Sequence, residues 1–215
     1  ERMLEDRFIN LAHGNGGRYM RELIEEIFAH HLGNPRLDTR EDSAQIAFDG
    51  EGMPFMTTDG FIVQPLEFPG GSFCSLAVHG TVNALAVCGV EPRYLSLNAF
   101  IEEGLEIDLL DRVIADLARA ARHAGVVVVA GDTKVLPRGE GGGLYLATTG
   151  VGLRPPGINY AFEHIRPGDQ VLVSGPIGDH GTCVMLARGE FDISGEVFSD
   201  SASVLPLTRA ARDVG

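Results

Sequence analysis

Residues Val126–Gly139 read VVVVAGDTKVLPRG. Four consecutive valines behind a glycine predict a buried β-strand, Val126–Ala130. β-Branched side chains pack well on a pleated surface, and so short an apolar run does not make a helix. The chain then turns polar: Asp132 ends the apolar run, with Thr133 and Lys134 beside it. Lys134 is the only lysine among 215 residues; every other basic side chain is arginine. Lysine is a compact charge whose proton can be removed when the site demands it, whereas the arginine fork stays permanently charged. A solitary lysine beside a strand-end aspartate reads as a functional group. The competing reading is a solvated surface charge.

Working outward, Leu110, Val113, Ile114, Leu117, Ala118 and Ala121 recur at helical spacing until Gly125. Met20, Leu23, Ile24, Ile27, Phe28 and His31 form an earlier stripe, stopped by Gly33 and Pro35, and Phe73–Cys88 predicts a third helix ending at Gly89. Strand patterns fall at Ala44–Phe48, Pro54–Thr58, Arg93–Phe100 and Leu144–Gly152. Helices and strands mix without a strict βαβ rhythm, which favours α+β. The stretch RPPGINYAFEHIRPGD, Arg154–Asp169, predicts a linker. A strand at Gln170–Ser174 and a short helix near Thr182–Ala187 follow. The expected organisation is therefore residues 1–153 as one domain, 154–168 as linker and 169–215 as the opening of a second, incomplete domain.

A net charge of −13 repels phosphate backbones and argues against a nucleic-acid partner, though not against a nucleotide carried with a divalent cation. Cys74, Cys88 and Cys183 form no CxxC, the pattern of a reducing compartment. No apolar run reaches the ~18 residues of a membrane span, and no signal-peptide core opens the chain. The expectation is a cytoplasmic protein without a membrane partner.

Gly14, Gly16 and Gly17 precede the first amphipathic helix. Glycines there let backbone N–H groups close around an anion, or they form a flexible lead-in. Asp42, Asp59 and Asp132 each stand next to a predicted strand end. Carboxylates in such places collect Mg²⁺, and they also serve as plain turn and cap residues. Asn83 lies on a helix of small apolar residues, where a buried amide orients a ligand or bonds a loop. His79 has no second ligand at metal spacing.

LAHGNGGRYM, EDSA, TTDGFIVQPLEFPGG, HGTVNALAVCG, YLSLNAFIEEG, AGDTKVLPRG and LVSGPIGDHG, in this order, resemble the HypE family of hydrogenase maturation factors. That family is part of the PurM-like (AIR synthetase) superfamily. The resemblance implies an α+β, PurM-like domain: a mixed sheet with helices on one face, dimerising through its sheet, followed by a second α/β domain. It implies ATP and Mg²⁺, and dehydration of a carbamoyl group, carried as a thiocarboxamide on a C-terminal cysteine, to a thiocyanate. The implied partners are a second copy of the chain, the carbamoyltransferase HypF and the HypC–HypD iron scaffold. Gly14, Gly16 and Gly17 become a phosphate-covering loop. Asp42, Asp59 and Asp132 hold metal and ATP, with Asn83 and Thr133 nearby, and Lys134 deprotonates or positions the thiocarboxamide nitrogen.

Two positions depart from the family pattern. Asn83-Ala84 stands where Asn-Asp is usual, which removes a carboxylate and is expected to weaken Mg²⁺ and ATP binding; Glu91 is a candidate replacement. The chain closes on RAARDVG without the carrier cysteine, so these residues alone are expected to be inactive. A selenophosphate synthetase or thiamine-phosphate kinase type of enzyme, or a binding-only paralogue, are the alternatives.

Overall fold

A computed structural model describes residues 4–41, 43–189 and 195–214. The GDTK segment lies on β5 (Val127–Leu136), in a four-stranded sheet with β1 (Met53–Phe61), β4 (Glu91–Glu102) and β6 (Leu144–Arg154). The order is β1-β6-β4-β5; β4–β5 is parallel and the other two pairs antiparallel. This is the mixed sheet that the family resemblance implies. A two-stranded ribbon, β2 (Glu67–Phe68) and β3 (Gly71–Ser72), turns at Gly70 with φ +90°.

Helices α3 (Phe73–Ala86) and α4 (Ile107–Ala124) cover one face. Helix α3 starts where Ser72 and Ser75 cap each other: Ser72 Oγ accepts the Ser75 N–H, and Ser75 Oγ accepts the Ser72 N–H. Helix α4 stops at Gly125, whose φ of +70° a side chain would resist. The apolar stripe of α4 is buried against Leu95, Leu97, Ala99 and Ile101 of β4 and Leu144 and Leu146 of β6. Each fully buried leucine or isoleucine contributes about 2 kcal/mol. The other sheet face carries Ser96, Asn98, Ala147 and Thr149, all half-buried, and Phe100, which is exposed.

The first predicted helix forms as α1 (Arg18–Leu23), a π-type turn (Ile24–Ala29) and α2 (His30–Leu32), followed by Gly33. Residues 155–178 contain one 3-10 turn, Phe162–His164, and no other helix or strand. Helices α5 (Asp179–Arg188) and α6 (Leu205–Val214) follow; Leu205 is buried in the main core, and Glu91 pairs with both Arg209 and Arg212 of α6.

Two predicted strands are absent. Residues 44–48 meet side chains in place of a ladder: Tyr94 Oη donates to the Ala47 carbonyl, and Arg93 donates to that of Asp49. Residues 170–174 have no strand beside them, and Val171 and Leu172 are 90% exposed. A strand-like pattern alone cannot make a strand, because the backbone groups need a ladder partner. All four strands of the sheet are longer than predicted. β1 runs through Asp59, and β5 runs through Asp132 and Lys134, so these groups lie within strands and not at their ends.

Candidate functional site

A cleft of about 520 Å³ runs along the free edge of β5. One wall is Val128–Thr133; the other is Met20, Ile24 and Phe28 of the first helix with the loop through Leu37–Glu41 and Ser43. A second cleft of about 410 Å³ shares Met20, Ile24 and Thr39, and adds Gly16, Gly17, Arg21 and Arg40. The glycine turn and the GDT segment therefore open onto neighbouring spaces.

The three glycines do different jobs. Gly16 has φ +79°, a left-handed conformation that a side chain would strain. Gly17 is extended and its N–H donates to Asn15 Oδ1. Gly14 faces neither cleft; it packs on β5, where a Cβ would come within 2.7 Å of Val135 Cβ.

On β5, a bulge at Val129 decides which side chains point where. Leu95 pairs with Val128 and Ser96 with Ala130, so one extra residue shifts the alternation. Thr133 consequently turns inward and is buried, while Asp132 and Lys134 point to the open face beside Asn98 and Phe100. Asp132 Oδ1 accepts the Thr133 N–H at 2.8 Å, and Oδ2 lies 2.6 Å from Lys134 Nζ. Both side chains remain more than half exposed.

The loop wall carries paired charge. Arg40 donates to both oxygens of Asp38, and these hydrogen bonds hold the Asp38 carboxyl down at about 2. Asp38 thus stays ionised while Arg40 screens it. Asp42 lies outside the described residues, although its neighbours Glu41 and Ser43 line the cleft. Sequence reasoning missed Arg21, Thr39 and Arg40. For Thr39 and Arg40, the polar residues following the helix-stopping Pro35 were the available signal.

Asp59 stands apart from this group. It pairs with Thr148, Thr148 with Leu97, and Leu97 with Gly131, so it is level with the GDT segment but three strands away. Three strand spacings amount to about 14 Å. Cross-strand partners share a face, which puts Asp59 on the helix side and Asp132 on the open side. Next to Asp59 is Gly80 of α3, whose Cβ would lie 3.8 Å from Asp59 Oδ2. Ala84, exposed and one helical turn later, shares that face of α3. Among the described residues no three His, Cys, Asp or Glu side chains could hold one metal ion. A single chain's described donor set does not fit Mg²⁺ by itself.

Two sequence candidates are committed elsewhere. The Asn83 amide donates to the Ala202 carbonyl at 2.9 Å and accepts the Val204 N–H at 2.8 Å, tying the segment before α6 onto α3. Glu91 is no replacement acid for position 84. Burial raises its carboxyl, but hydrogen bonds and charge from Arg209 and Arg212 outweigh this and hold it below its ordinary value.

Residues 40–154, just over half of the chain, match the family described as "AIR synthase related protein, N-terminal domain". The chain belongs to the AIR synthase related family. Within it, the chain is 44% identical to "Carbamoyl dehydratase HypE" of Azotobacter vinelandii over 96% of its own length and 60% of that protein's. A crystal structure of the hydrogenase maturation protein HypE in complex with ATP superposes with a TM-score of 0.86 at 43% identity, covering 92% of this chain and 58% of the other. A HypE–HypF complex gives 0.73 at 41% identity, covering 90% and 62%. The chain thus spans about three-fifths of the length of the curated relatives it matches. In this AIR synthase related chain, the matched segment holds the whole sheet, Asp59, Asn83 and GDTK, while the glycine turn precedes it. No helix among the described residues is long and apolar enough to cross a membrane.

Proposed function

We propose that the protein binds ATP and serves the ATP-dependent dehydration of a protein-bound S-carbamoyl group to a thiocyanate, as carbamoyl dehydratases of the HypE type do. The observation that carries this reading is the Lys134–Asp132 pair on β5 beside the glycine turn, in a chain similar to a HypE solved with ATP. The triphosphate lies along the free edge of β5 and under Gly16 and Gly17, whose freedom from side chains lets the backbone approach it. The carbamoyl oxygen attacks the γ-phosphorus, ADP departs, and the nitrogen releases the first of its two protons to leave a neutral imine. Loss of the second nitrogen proton then expels phosphate and leaves the carbon–nitrogen triple bond.

In this scheme Lys134 supplies a compact cation to the departing phosphate, and it handles the nitrogen proton together with Asp132. Thr133 holds the Asp132 carboxylate in place through its backbone N–H. Mg²⁺ would arrive with the triphosphate, since this ion prefers phosphate oxygens and one or two carboxylates. Asp42, Asp59 and Asp132 are the candidates to meet it, and no step is assigned to the metal.

The same reading includes a homodimer formed through the sheet. A second copy is what would bring an Asp59 towards the Asp132 that its own chain keeps at a distance. It further includes HypF as carbamoyl donor, the HypC–HypD complex as cyanide acceptor and the cytoplasm as location. Residues 1–153 would form the ATP-binding and dimerisation domain, 154–168 the linker and 169–215 the opening of a second domain. The lack of regular structure in 155–178, apart from one 3-10 turn, supports that division.

Titration calorimetry with ATP, with and without Mg²⁺, tests the proposal. Saturable one-site binding that Lys134→Arg retains is the expected result. No binding to the protein, and none to Ala84→Asp, would remove the ATPase reading in favour of a binding-only paralogue.

A further inference from the structure

We infer that His13 is a positioning residue, which seats the glycine turn on the strand carrying Asp132 and Lys134 while touching no ligand itself. His13 is fully buried in the 3-10 turn Leu11–Gly14. Its Nδ1 accepts the backbone N–H of Asn10 at 3.1 Å, which in the neutral ring leaves the proton on Nε2. Asn10 answers from its side chain: Oδ1 accepts the Ala12 N–H at 3.0 Å, and Nδ2 donates to Asp6 Oδ2 at 3.2 Å. Nε2 faces the same Asp6 oxygen from 3.6 Å, too far for a hydrogen bond, and has no hydrogen-bond partner among the described residues.

A buried ring nitrogen without a hydrogen bond lowers stability, so packing alone would favour an apolar side chain. What the histidine adds is an acceptor at Nδ1, aimed at the backbone three residues earlier. The lock it closes sits between two fixed points. Upstream, Ile9 is bonded through both backbone groups to the chain at Gly104 and Leu105. Downstream, Gly14 is pressed on Val135, the residue after Lys134. Opening the Asn10–His13 bond frees the turn to lift Gly14 from Val135 and to carry Gly16 and Gly17 away from the cleft. The seating stands on these contacts; its consequence for nucleotide rests on the ATP reading above.

Three variants of the full chain separate acceptor from volume. His13→Asn keeps an acceptor at the δ position with less bulk, His13→Gln keeps more bulk without it, and His13→Leu is apolar. Amide exchange of Ala12–Gly17 is read without nucleotide, alongside thermal midpoint and ATP affinity. His13→Leu and His13→Gln should speed exchange there and weaken ATP by roughly tenfold each, the scale of one hydrogen bond, with His13→Asn near the parent. Unchanged exchange in all three, or His13→Gln outperforming His13→Asn, overturns the inference. So does a His13→Leu that binds ATP as tightly as the parent. If His13→Leu does not fold, the Asn and Gln variants decide. A parent that binds no ATP, yet shows the exchange pattern, removes the nucleotide reading and supports the seat.

Discussion

Lys134 Nζ lies 2.6 Å from Oδ2 of Asp132, two residues earlier on the same strand and on the same open face of the sheet. Both side chains are more than half exposed, so the pair contributes little to stability, at most about 1 kcal/mol. Its value lies in placement. The Thr133 N–H fixes one Asp132 oxygen and the lysine takes the other, which sets a defined cation beside the cleft.

Arginine at position 134 preserves the charge and can still meet Asp132, but it cannot give up its proton. On the dehydratase reading, Lys134→Arg should retain ATP affinity and lose about a hundredfold in phosphate release from the carbamoylated protein. Unimpaired release would show that a fixed cation is sufficient.

Position 84 lies on the face of α3 that holds Gly80 against Asp59. A carboxylate there would give Asp59 a companion that the described residues do not provide. Ala84→Asp should tighten ATP binding in the presence of Mg²⁺ by roughly tenfold, about 1.4 kcal/mol, and leave metal-free binding no tighter. Equal gains with and without Mg²⁺ would exclude a metal contact at this position.

Asn83 holds residues 202 and 204 through two hydrogen bonds, and no ligand is needed to satisfy it. Asn83→Ala should cost about 1–3 kcal/mol and raise amide exchange across 199–214 while ATP affinity is unchanged. Weaker ATP binding with exchange unaltered would return Asn83 to the nucleotide site.

Glu91 anchors α6 through Arg209 and Arg212 and is held below its ordinary carboxyl value. A carboxyl lowered by folding stabilises the fold above its unfolded value of 4.5, and that contribution fades as pH falls through the lower folded value. Proteolysis within α6 should therefore rise in acid. Glu91→Gln should raise it at neutral pH and converge with the parent at the acid end. A variant matching the parent throughout would assign the docking of α6 to Leu205 and Asn83 instead.

Helix α4 was legible in the sequence because its periodic apolar stripe ends on a left-handed glycine, and both signals are local. Strand β5 behind it was legible from its run of valines. Residues 44–48 alternate and residues 170–174 hold a short apolar run, yet neither forms a strand, since a ladder depends on a neighbour that no local pattern encodes. Asp59 and Asp132 were recognised as candidates, but their placement on opposite faces was not. The bulge at Val129 shifts every later β5 side chain by one step, and a bulge is a property of pairing with β4.

The amino-acid sequence by itself determined the fold class and the chemistry available: an α+β chain, a glycine turn before a helix, a lone lysine after an aspartate. Local propensity and residue identity suffice for those. Only the tertiary structure decided which groups meet. It paired Lys134 with Asp132, spent Asn83 and Glu91 on holding α6, and left Asp59 across the sheet. Register, bulge and sheet order set those distances, and each arises from contacts between segments far apart in the chain.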